Sequence, residues 1–355
     1  MAYTNIDKPE DYFNTITWTG NASRPVSITG VGFQPDMVWA KSRSNAFNHV
    51  IYDSSRGAGQ YKELTPNATF DEGGSNAHTY GYLTSFDSDG FSSTDSFDNH
   101  YFNNNGSTYV AWNWKVNGGT TTSLSSNINS VCQVNQDAGI SIVKYTCTGG
   151  GNGQSVQHGL GLVPQVIITK NRTDTSYSDW ITYHHILTKD NFVKLNSNAA
   201  SATNSPYNQA NPTSTTYNVS IDLVEQKDYV SYVFAPIQGY SKFGKYIGNG
   251  NANGPFVYTG FKPAFVMVKN ASAVTNWYMW DNKRNPYNVV NNGLNTNTAN
   301  ATQGTAYDSL DFLSNGFKIR DYADGTWNGS GNTIIYMAFA ENPFTTSTGV
   351  PCTAR

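Results

Sequence analysis

A turn followed by a short apolar strand recurs three times along the chain. Each copy has Gly, two residues, Pro, an apolar run and a Lys six positions after the Pro, and the copies span 32–41, 161–170 and 260–269. Gly supplies the backbone freedom of a tight turn, and Pro fits best at the first position of a strand because it has no N–H. We predict that each copy, called the signature below, starts a buried strand and that its Lys leaves the sandwich at the far rim.

A similar order of predicted strands surrounds each signature. An opening strand precedes it, a half-buried middle strand follows it, and a strongly apolar closing strand ends the segment. The closing strands are predicted at 109–115, 228–234 and 333–339. The Asp-Gly and Asn-Gly pairs at 89–90 and 315–316 predict hairpin turns. A recurring segment of roughly 100 residues is long enough to bury a core of its own.

These patterns predict an all-β fold of three tandem antiparallel β-sandwich domains, jelly-roll or lectin-like, that are related by an internal repeat. No segment predicts a long amphipathic helix. The predicted divisions are an N-terminal arm at 1–13, sandwich 1 at 14–116, a linker at 117–129, sandwich 2 at 130–237, sandwich 3 at 240–345 and a C-terminal tail at 346–355.

Composition narrows the class of protein. Of the 355 residues, 14% are aromatic and 13% charged, with a net charge of −3. Abundant aromatic residues and a small net charge argue against intrinsic disorder, and the lack of a basic stripe argues against a nucleic-acid or anionic-membrane partner. The sequence has no apolar run near 18 residues and no signal peptide, so we expect no membrane insertion and synthesis in the cytosol.

The clearest polar pattern is an Asp–Arg pair that occurs twice. Asp53 with Arg56 recurs as Asp281 with Arg284, and each Asp lies 18 residues after the Pro of its signature. One interpretation is an ion pair that holds the loop leaving the middle strand. The other is a ligand contact, in which a guanidinium beside a carboxylate binds a sugar.

Other candidate chemistry is sparse. Trp327, Trp180 and Tyr207 are candidates for stacking on a sugar face, and burial in the core is the simpler alternative. The sequence has no phosphate-binding loop, Gly-x-Ser-x-Gly or HExxH motif, and its three cysteines have no metal-ligand spacing. We therefore expect free thiols, no metal, no cofactor and no catalytic residue; a carboxylate pair brought together from distant loops remains the enzymatic alternative.

Four stretches of the first segment resemble a group of tailed-phage virion proteins, many of them from marine phages. These stretches are Tyr3 to Phe13, Gly32 to Asp36, Tyr52 to Gly57 and Tyr109 to Lys115. The resemblance covers nearly the whole first segment and, more loosely, the other two. Proteins of that group are identified as structural or tail-fibre-like, with no known catalytic residues. The resemblance therefore implies a non-enzymatic protein located in the virion.

Two functional hypotheses follow. The first is a structural component of the particle surface, either a capsid decoration or part of a tail appendage. The second is a carbohydrate-binding adhesin at a fibre tip. We expect other virion proteins, further copies of the same chain in a homo-oligomer and a host cell-surface glycan as partners. We also predict that the arm is flexible until a partner orders it, with Tyr12 and Phe13 as the attachment residues.

Overall fold

The computed structural model of the chain is built almost entirely from antiparallel sheets that pack face to face, which confirms the predicted all-β class. No helix of the described residues is long and apolar enough to cross a bilayer. Units 1, 2 and 3 denote below the ranges 14–116, 130–237 and 240–345; the division into three domains with these boundaries stays a prediction. The structure describes residues 2–94, 99–148, 153–175, 178–204, 207, 210–220, 226–304, 309–320 and 326–353.

The strands are short, and the helical segments are single turns. Strands up to the end of unit 1 are β1 (Phe13–Thr19), β2 (Val26–Thr29), β3 (Met37–Ser42), β4 (Val50–Asp53), β5 (Leu83–Asp87), β6 (Gly90–Ser93) and β7 (Thr108–Trp114). From there to the end of unit 2 they are β8 (Thr122–Leu124), β9 (Ser130–Asn135), β10 (Ile140–Thr146), β11 (Gln154–Gln157), β12 (Val166–Asn171), β13 (Ile181–His184), β14 (Asn191–Lys194), β15 (Ala202–Thr203), β16 (Thr216–Val219) and β17 (Asp228–Phe234). Unit 3 contains β18 (Ser241–Ile247), β19 (Phe256–Tyr258), β20 (Phe261–Asn270), β21 (Tyr278–Asp281), β22 (Asn292–Asn295), β23 (Gln303–Gly304), β24 (Leu310–Leu313), β25 (Gly316–Ile319) and β26 (Thr333–Pro343). The helical turns are Pro9–Asp11, α1 (Ala77–Tyr80) and His185–Leu187.

Each unit has one large sheet in which four strands follow the same order, namely opening, closing, signature and middle strand. The strand order is β1-β7-β3-β4 in unit 1, β10-β17-β12-β13 in unit 2 and β18-β26-β20-β21 in unit 3. Further strands extend the second and third sheets, and one of them is β8, which lies in the segment predicted as a linker. A smaller sheet belongs to each unit: β2-β6-β5, β11-β16 and β19-β25-β24.

The signatures build their turns as predicted. The three signature glycines, Gly32, Gly161 and Gly260, have φ values of +87°, +70° and +84°, a region that favours glycine. Units 1 and 2 begin the signature strand two residues after the Pro. Unit 3 differs, because β20 already begins at Phe261 and its pairing with β26 shifts register on both sides of Pro263. A proline cannot donate to the ladder, so the strand bulges there.

The apolar run of each signature strand does not alternate with polar residues, because both faces of the strand are buried. In β3, Val38 and Ala40 pack in the core that unit 1 forms with its own small sheet. Their neighbours Met37 and Trp39 point to the opposite face and join a second core. Strands β12 and β20 alternate in the same way. A strand with two covered faces needs a continuous apolar run, and the signatures supply it.

The second core is shared by all three units. At its centre lie Trp114, Phe234 and Phe339, each opposite the second residue after the signature Pro in the ladder of its own sheet. Their ring centroids are 6.4 Å apart for Trp114 and Phe234, 6.0 Å for Phe234 and Phe339, and 5.7 Å for Trp114 and Phe339. The inner faces of the three large sheets therefore bury one another.

The N-terminal arm is docked, which corrects the expectation of a flexible leader. Thr4 and Ile6 are buried, and Tyr12 packs edge-on against Tyr240 at 6.0 Å. Phe13 is 1% exposed and stacks on Phe339 at 5.0 Å. It is the first residue of β1, so pairing with β7 carries its ring into the shared core. Phe13 is therefore inaccessible to a partner in this structure and Tyr12 is only partly exposed, and their role in attachment stays a prediction.

The shared core predicts that the chain unfolds as one cooperative body. Phe339→Ala removes a ring that touches aromatic side chains of all three units, so we expect a loss of about 3–5 kcal/mol in the free energy of unfolding and one transition in urea, followed by tryptophan fluorescence and circular dichroism. The half-exposed Phe256 is the matched control, and Phe256→Ala should change stability by less than about 0.5 kcal/mol. Two separated transitions in the Phe339 variant would contradict a common core.

Candidate functional site

Asp53 and Arg56 form a buried ion pair at the end of β4. Arg56 donates from Nε to Asp53 Oδ2 at 2.5 Å, and its backbone N–H donates to Oδ1 at 2.9 Å. Its remaining donors reach the carbonyls of Lys62 at 2.6 Å and Ile51 at 3.3 Å. From unit 2, Tyr232 Oη donates to Asp53 Oδ2 at 2.7 Å. The pair therefore closes its own loop and joins unit 1 to unit 2.

Asp281 and Arg284 repeat this arrangement at the end of β21. Arg284 Nε donates to Asp281 Oδ2 at 2.5 Å, and the guanidinium also bonds the carbonyls of Asn292 and Met279. Here the donor from another unit is Trp112 of unit 1, whose Nε1–H reaches Asp281 Oδ2 at 3.1 Å. The Arg284 guanidinium also lies 5.5 Å from the centroid of that indole.

Unit 2 has a histidine where the other units have the aspartate. His184 lies opposite Val166 in the ladder, as Asp53 lies opposite Met37 and Asp281 opposite Phe265. Its Nε2 donates to the carbonyl of Tyr336 in unit 3 at 3.2 Å. Burial lowers the pKa of His184 to about 3, so the ring is neutral. The contacts therefore run in a cycle, from unit 1 to 2, from 2 to 3 and from 3 to 1.

A second set of equivalent contacts runs around the same three interfaces in the opposite direction, from unit 1 to 3, from 2 to 1 and from 3 to 2. Four residues before Asp53, His184 and Asp281 stand His49, Trp180 and Trp277. Each ring donates an N–H to a backbone carbonyl of another unit at 2.9 Å, and the acceptors are Asn295, Thr65 and Lys194, respectively. His49 Nδ1 accepts from Trp39 at 3.0 Å, which fits a neutral ring with its proton on Nε2. Each unit is thus held to the next by two polar contacts around the aromatic core.

Burial decides between the two interpretations of the Asp–Arg pairs. The side chains of Asp53, Arg56, Asp281 and Arg284 are 0% exposed. A dissolved ligand has no access to them in this structure, so the ligand-binding assignment does not fit. The ion-pair interpretation fits, and the structure extends it, because each pair also accepts a donor from another unit.

Glu72 extends the contact between units 1 and 2. Its carboxylate accepts from Arg56 at 3.0 Å and, through the other oxygen, from Arg172 of unit 2 at 2.5 Å. The backbone N–H of Glu72 also donates to the carbonyl of Arg172 at 2.9 Å. Two guanidinium groups thus share one largely buried carboxylate across this interface.

The signature lysines are buried, which corrects the expectation that they leave the sandwich at its rim. Lys41, Lys170 and Lys269 are at most 1% exposed. Lys170 Nζ donates to the carbonyl of Ser178 at 2.6 Å, and Lys269 Nζ to those of Thr275 at 2.7 Å and Asn198 at 3.1 Å. Burial lowers the pKa of Lys41 and Lys170 to about 7 and that of Lys269 to about 8.

The aromatic residues proposed for sugar stacking lie in cores. Trp327, Trp180 and Tyr207 are at most 2% exposed, so the core alternative is correct for all three. Trp327 packs at 5.1 Å against Trp280, and Tyr207 at 5.9 Å against Tyr183. The aromatic rings that do reach solvent belong to other positions, among them Tyr61, Phe256, Tyr258, Tyr287 and Phe344.

A cleft of about 400 Å³ is lined by one of these exposed rings, Tyr258, together with Tyr3 of the arm. It lies between the arm, the segment 236–242 and the segment 258–260. Tyr3 Oη donates to the carbonyl of Gly260 at 2.6 Å, and Thr4 Oγ1 to that of Gln238 at 2.7 Å. The arm therefore forms one wall of the cleft. Sequence reasoning missed this site, because its walls come from three distant segments and share no motif.

The thiols agree with the sequence prediction, because Cys132, Cys147 and Cys352 form no disulfide. Within the described ranges no group of three His, Cys, Asp or Glu side chains is placed to hold a metal ion. The described part of the chain thus offers the cleft beside the arm as its aromatic-lined candidate surface.

Residues 8–343 match the model of a family described as a domain of unknown function, DUF7483. The matched range contains all three large sheets. No curated protein and no solved structure gave a significant match to the chain.

The buried ion pairs predict a large stability effect. Arg284→Ala leaves the Asp281 carboxylate buried without its partner, and we expect a loss of about 3–5 kcal/mol. Arg320, which is 41% exposed and pairs with Asp311, is the matched control, and Arg320→Ala should cost about 0–1 kcal/mol. Urea denaturation measures both. Equal effects of the two substitutions would contradict the structural role of the Asp281–Arg284 pair.

The buried lysines predict a stability that rises with pH. Their pKa values are lower in the folded chain than the 10.5 of a free lysine, so between about pH 7 and 10 the unfolded chain binds more protons. Each lysine that has released its proton adds up to about 1.4 kcal/mol per pH unit to the free energy of unfolding. Urea titrations from pH 7 to 9.5 should show this slope. Lys170→Met should reduce the slope of stability against pH, and the same change at the exposed Lys245 should leave it unaltered. An unchanged slope in the Lys170 variant would exclude this buried lysine as a source of the pH dependence.

Proposed function

Because the chain belongs to the DUF7483 family, whose description names no activity, we propose a function from its own residues. We propose that it is a non-enzymatic structural protein on the surface of a tailed-phage particle, either a capsid decoration or part of a tail appendage. Its partners are other virion proteins and further copies of itself.

The observation that carries this proposal is the location of the residues behind the phage resemblance. The stretch from Tyr52 to Gly57 contains the Asp53–Arg56 pair that joins units 1 and 2. The stretch from Tyr109 to Lys115 is the closing strand, with Trp112 bonded to Asp281 and Trp114 in the shared core. The stretches that carry the resemblance therefore include residues that hold the units together. Sequence similarity that rests on such contacts supports a common architecture and a common structural role.

Asp36 adds a further contact of this kind. It is fully buried, and its carboxylate accepts from the backbone N–H of Val116 at 2.7 Å, from Ser54 Oγ at 2.7 Å and from Gln133 Nε2 of unit 2 at 2.7 Å. It also belongs to a resembling stretch, Gly32 to Asp36. Its bonds hold the end of unit 1 and the start of unit 2 in one cluster. The charge of Asp36, like those of Asp53 and Asp281, is thus engaged in holding the fold.

A carbohydrate-binding adhesin is the second candidate, and the cleft beside the arm favours it. Exposed aromatic rings next to polar groups suit the apolar faces and hydroxyl edges of sugars. The two candidates are compatible, since a particle-surface protein can also contact a host glycan.

The proposal predicts that the chain is part of purified particles. Mass spectrometry of gradient-purified particles should detect it in a constant ratio to the major capsid protein, and gold-labelled antibodies should locate it on the particle surface. An abundant host cytosolic protein serves as the contamination control. A ratio that falls with each purification step would contradict the virion assignment. Shortening of a host polysaccharide by the purified chain would contradict the non-enzymatic role.

A further inference from the structure

The cleft beside the arm has the chemistry of a specific ligand site. Two aromatic residues line it, Tyr258, which is 49% exposed, and Tyr3 of the arm. The cleft volume of about 400 Å³ lies in the range of ligand pockets, roughly 300–1,000 Å³. A larger open cavity of about 550 Å³, at 116–137 and Gly159, has no aromatic residue in its lining. Of the two, the arm cleft offers rings on which a sugar can stack.

Two phenol hydroxyls converge at one point of the cleft wall. A Cβ placed on Gly260 would lie 2.7 Å from Tyr3 Oη and 3.5 Å from Tyr258 Oη. Any larger residue at 260 would displace the Tyr3 hydroxyl. Burial and the neighbouring Tyr258 hydroxyl raise the pKa of Tyr3 to about 12, so the Tyr3 phenol keeps its proton near neutral pH. The Tyr3 hydroxyl donates its proton to the carbonyl of Gly260, so its oxygen can accept a hydrogen bond from a sugar hydroxyl.

The cleft also carries a positive charge without an internal counter-ion. Lys242 Nζ donates to the carbonyl of Tyr258 at 2.9 Å and lies 5.0 Å from the centroid of its ring. Lys242 takes part in none of the ion pairs that the described residues form. The lining contains no Asp or Glu. An ammonium held beside a stacking surface favours a ligand that brings its own negative charge.

We propose that this cleft binds an acidic saccharide, with the sugar ring on Tyr258, its hydroxyls on the two phenols, and its carboxylate on Lys242. The ligand class is a hexuronate unit of a surface polysaccharide, because it combines an apolar ring face, hydroxyls and one carboxylate. The inference rests on the glycan-recognising role given as the second candidate above, and it adds the site and the class of sugar. Binding is a property of the isolated chain, so it is tested apart from particle incorporation.

The probe is a trigalacturonate, and its fully methyl-esterified form is the matched neutral sugar. Calorimetric titration of the full chain should show binding of the acid and at least ten-fold weaker binding of the ester. Lys242→Gln should abolish that difference. Tyr258→Ala should weaken both sugars at least ten-fold, and Tyr258→Phe, which keeps the ring, should retain most of the affinity.

The control variants change an exposed lysine and an exposed tyrosine that do not line the cleft. Lys245→Gln changes an exposed lysine on the same strand, and Tyr287→Ala removes a tyrosine that is 80% exposed; both should leave affinity within two-fold. Equal melting temperatures establish that each variant is folded. Failure of the chain to bind either sugar would overturn the proposal for uronates. Unchanged affinity in the Tyr258 and Lys242 variants would show that the sugar binds elsewhere, which would overturn the site but not glycan recognition. Equal affinity for the acid and the ester would overturn the role of the Lys242 charge.

Discussion

The contact among Trp114, Phe234 and Phe339 is the interaction on which the rest of the structure depends. Each ring lies on the closing strand of a large sheet, and the closing and signature strands of that sheet are buried on both faces. The small sheet of a unit covers one face, and the other face loses its contact with water only where the three large sheets meet. Removal of apolar area from water is the main favourable term in folding, so the three units form one body instead of independent domains on a string.

Polar contacts determine which units lie next to one another around this core. Apolar surfaces are weakly directional, but a buried carboxylate needs defined donors and would be costly without them. Asp53 accepts from Tyr232 and Asp281 from Trp112, so each pair selects one neighbouring unit. Unit 2 meets the same demand with a neutral histidine, His184, which donates to a carbonyl and needs no arginine. That exchange explains why the Asp–Arg pattern occurs twice in a chain with three signatures.

Local features of the fold could be predicted from the sequence, and contacts between units could not. Glycine turns, hairpins and apolar runs depend on neighbouring residues, so the signature strands and the hairpin at Asp89-Gly90 were predicted correctly. The spacing of the Asp–Arg pairs could be recognised in the sequence. The partner of Asp53 in unit 2, Tyr232, could not, because it lies 179 positions away and belongs to no motif. One signal was available: the signature and closing strands are apolar without alternation, which indicates burial on both faces. The arm cleft left no such signal, because Tyr3 and Gly260 are 257 positions apart.

The docking of the arm makes the surfaces of the three units different from one another. Strand order and locking contacts recur around the shared core, but the arm docks beside unit 3, where Tyr3 bonds to Gly260 and Thr4 to Gln238. The described residues thus form the arm cleft beside unit 3, although the framework of the molecule is repeated three times. An assembly of these chains displays one cleft per chain, and the distances between clefts are set by the packing of the chains. The strength of attachment to a repetitive surface would then depend on how many copies are displayed and how they are spaced.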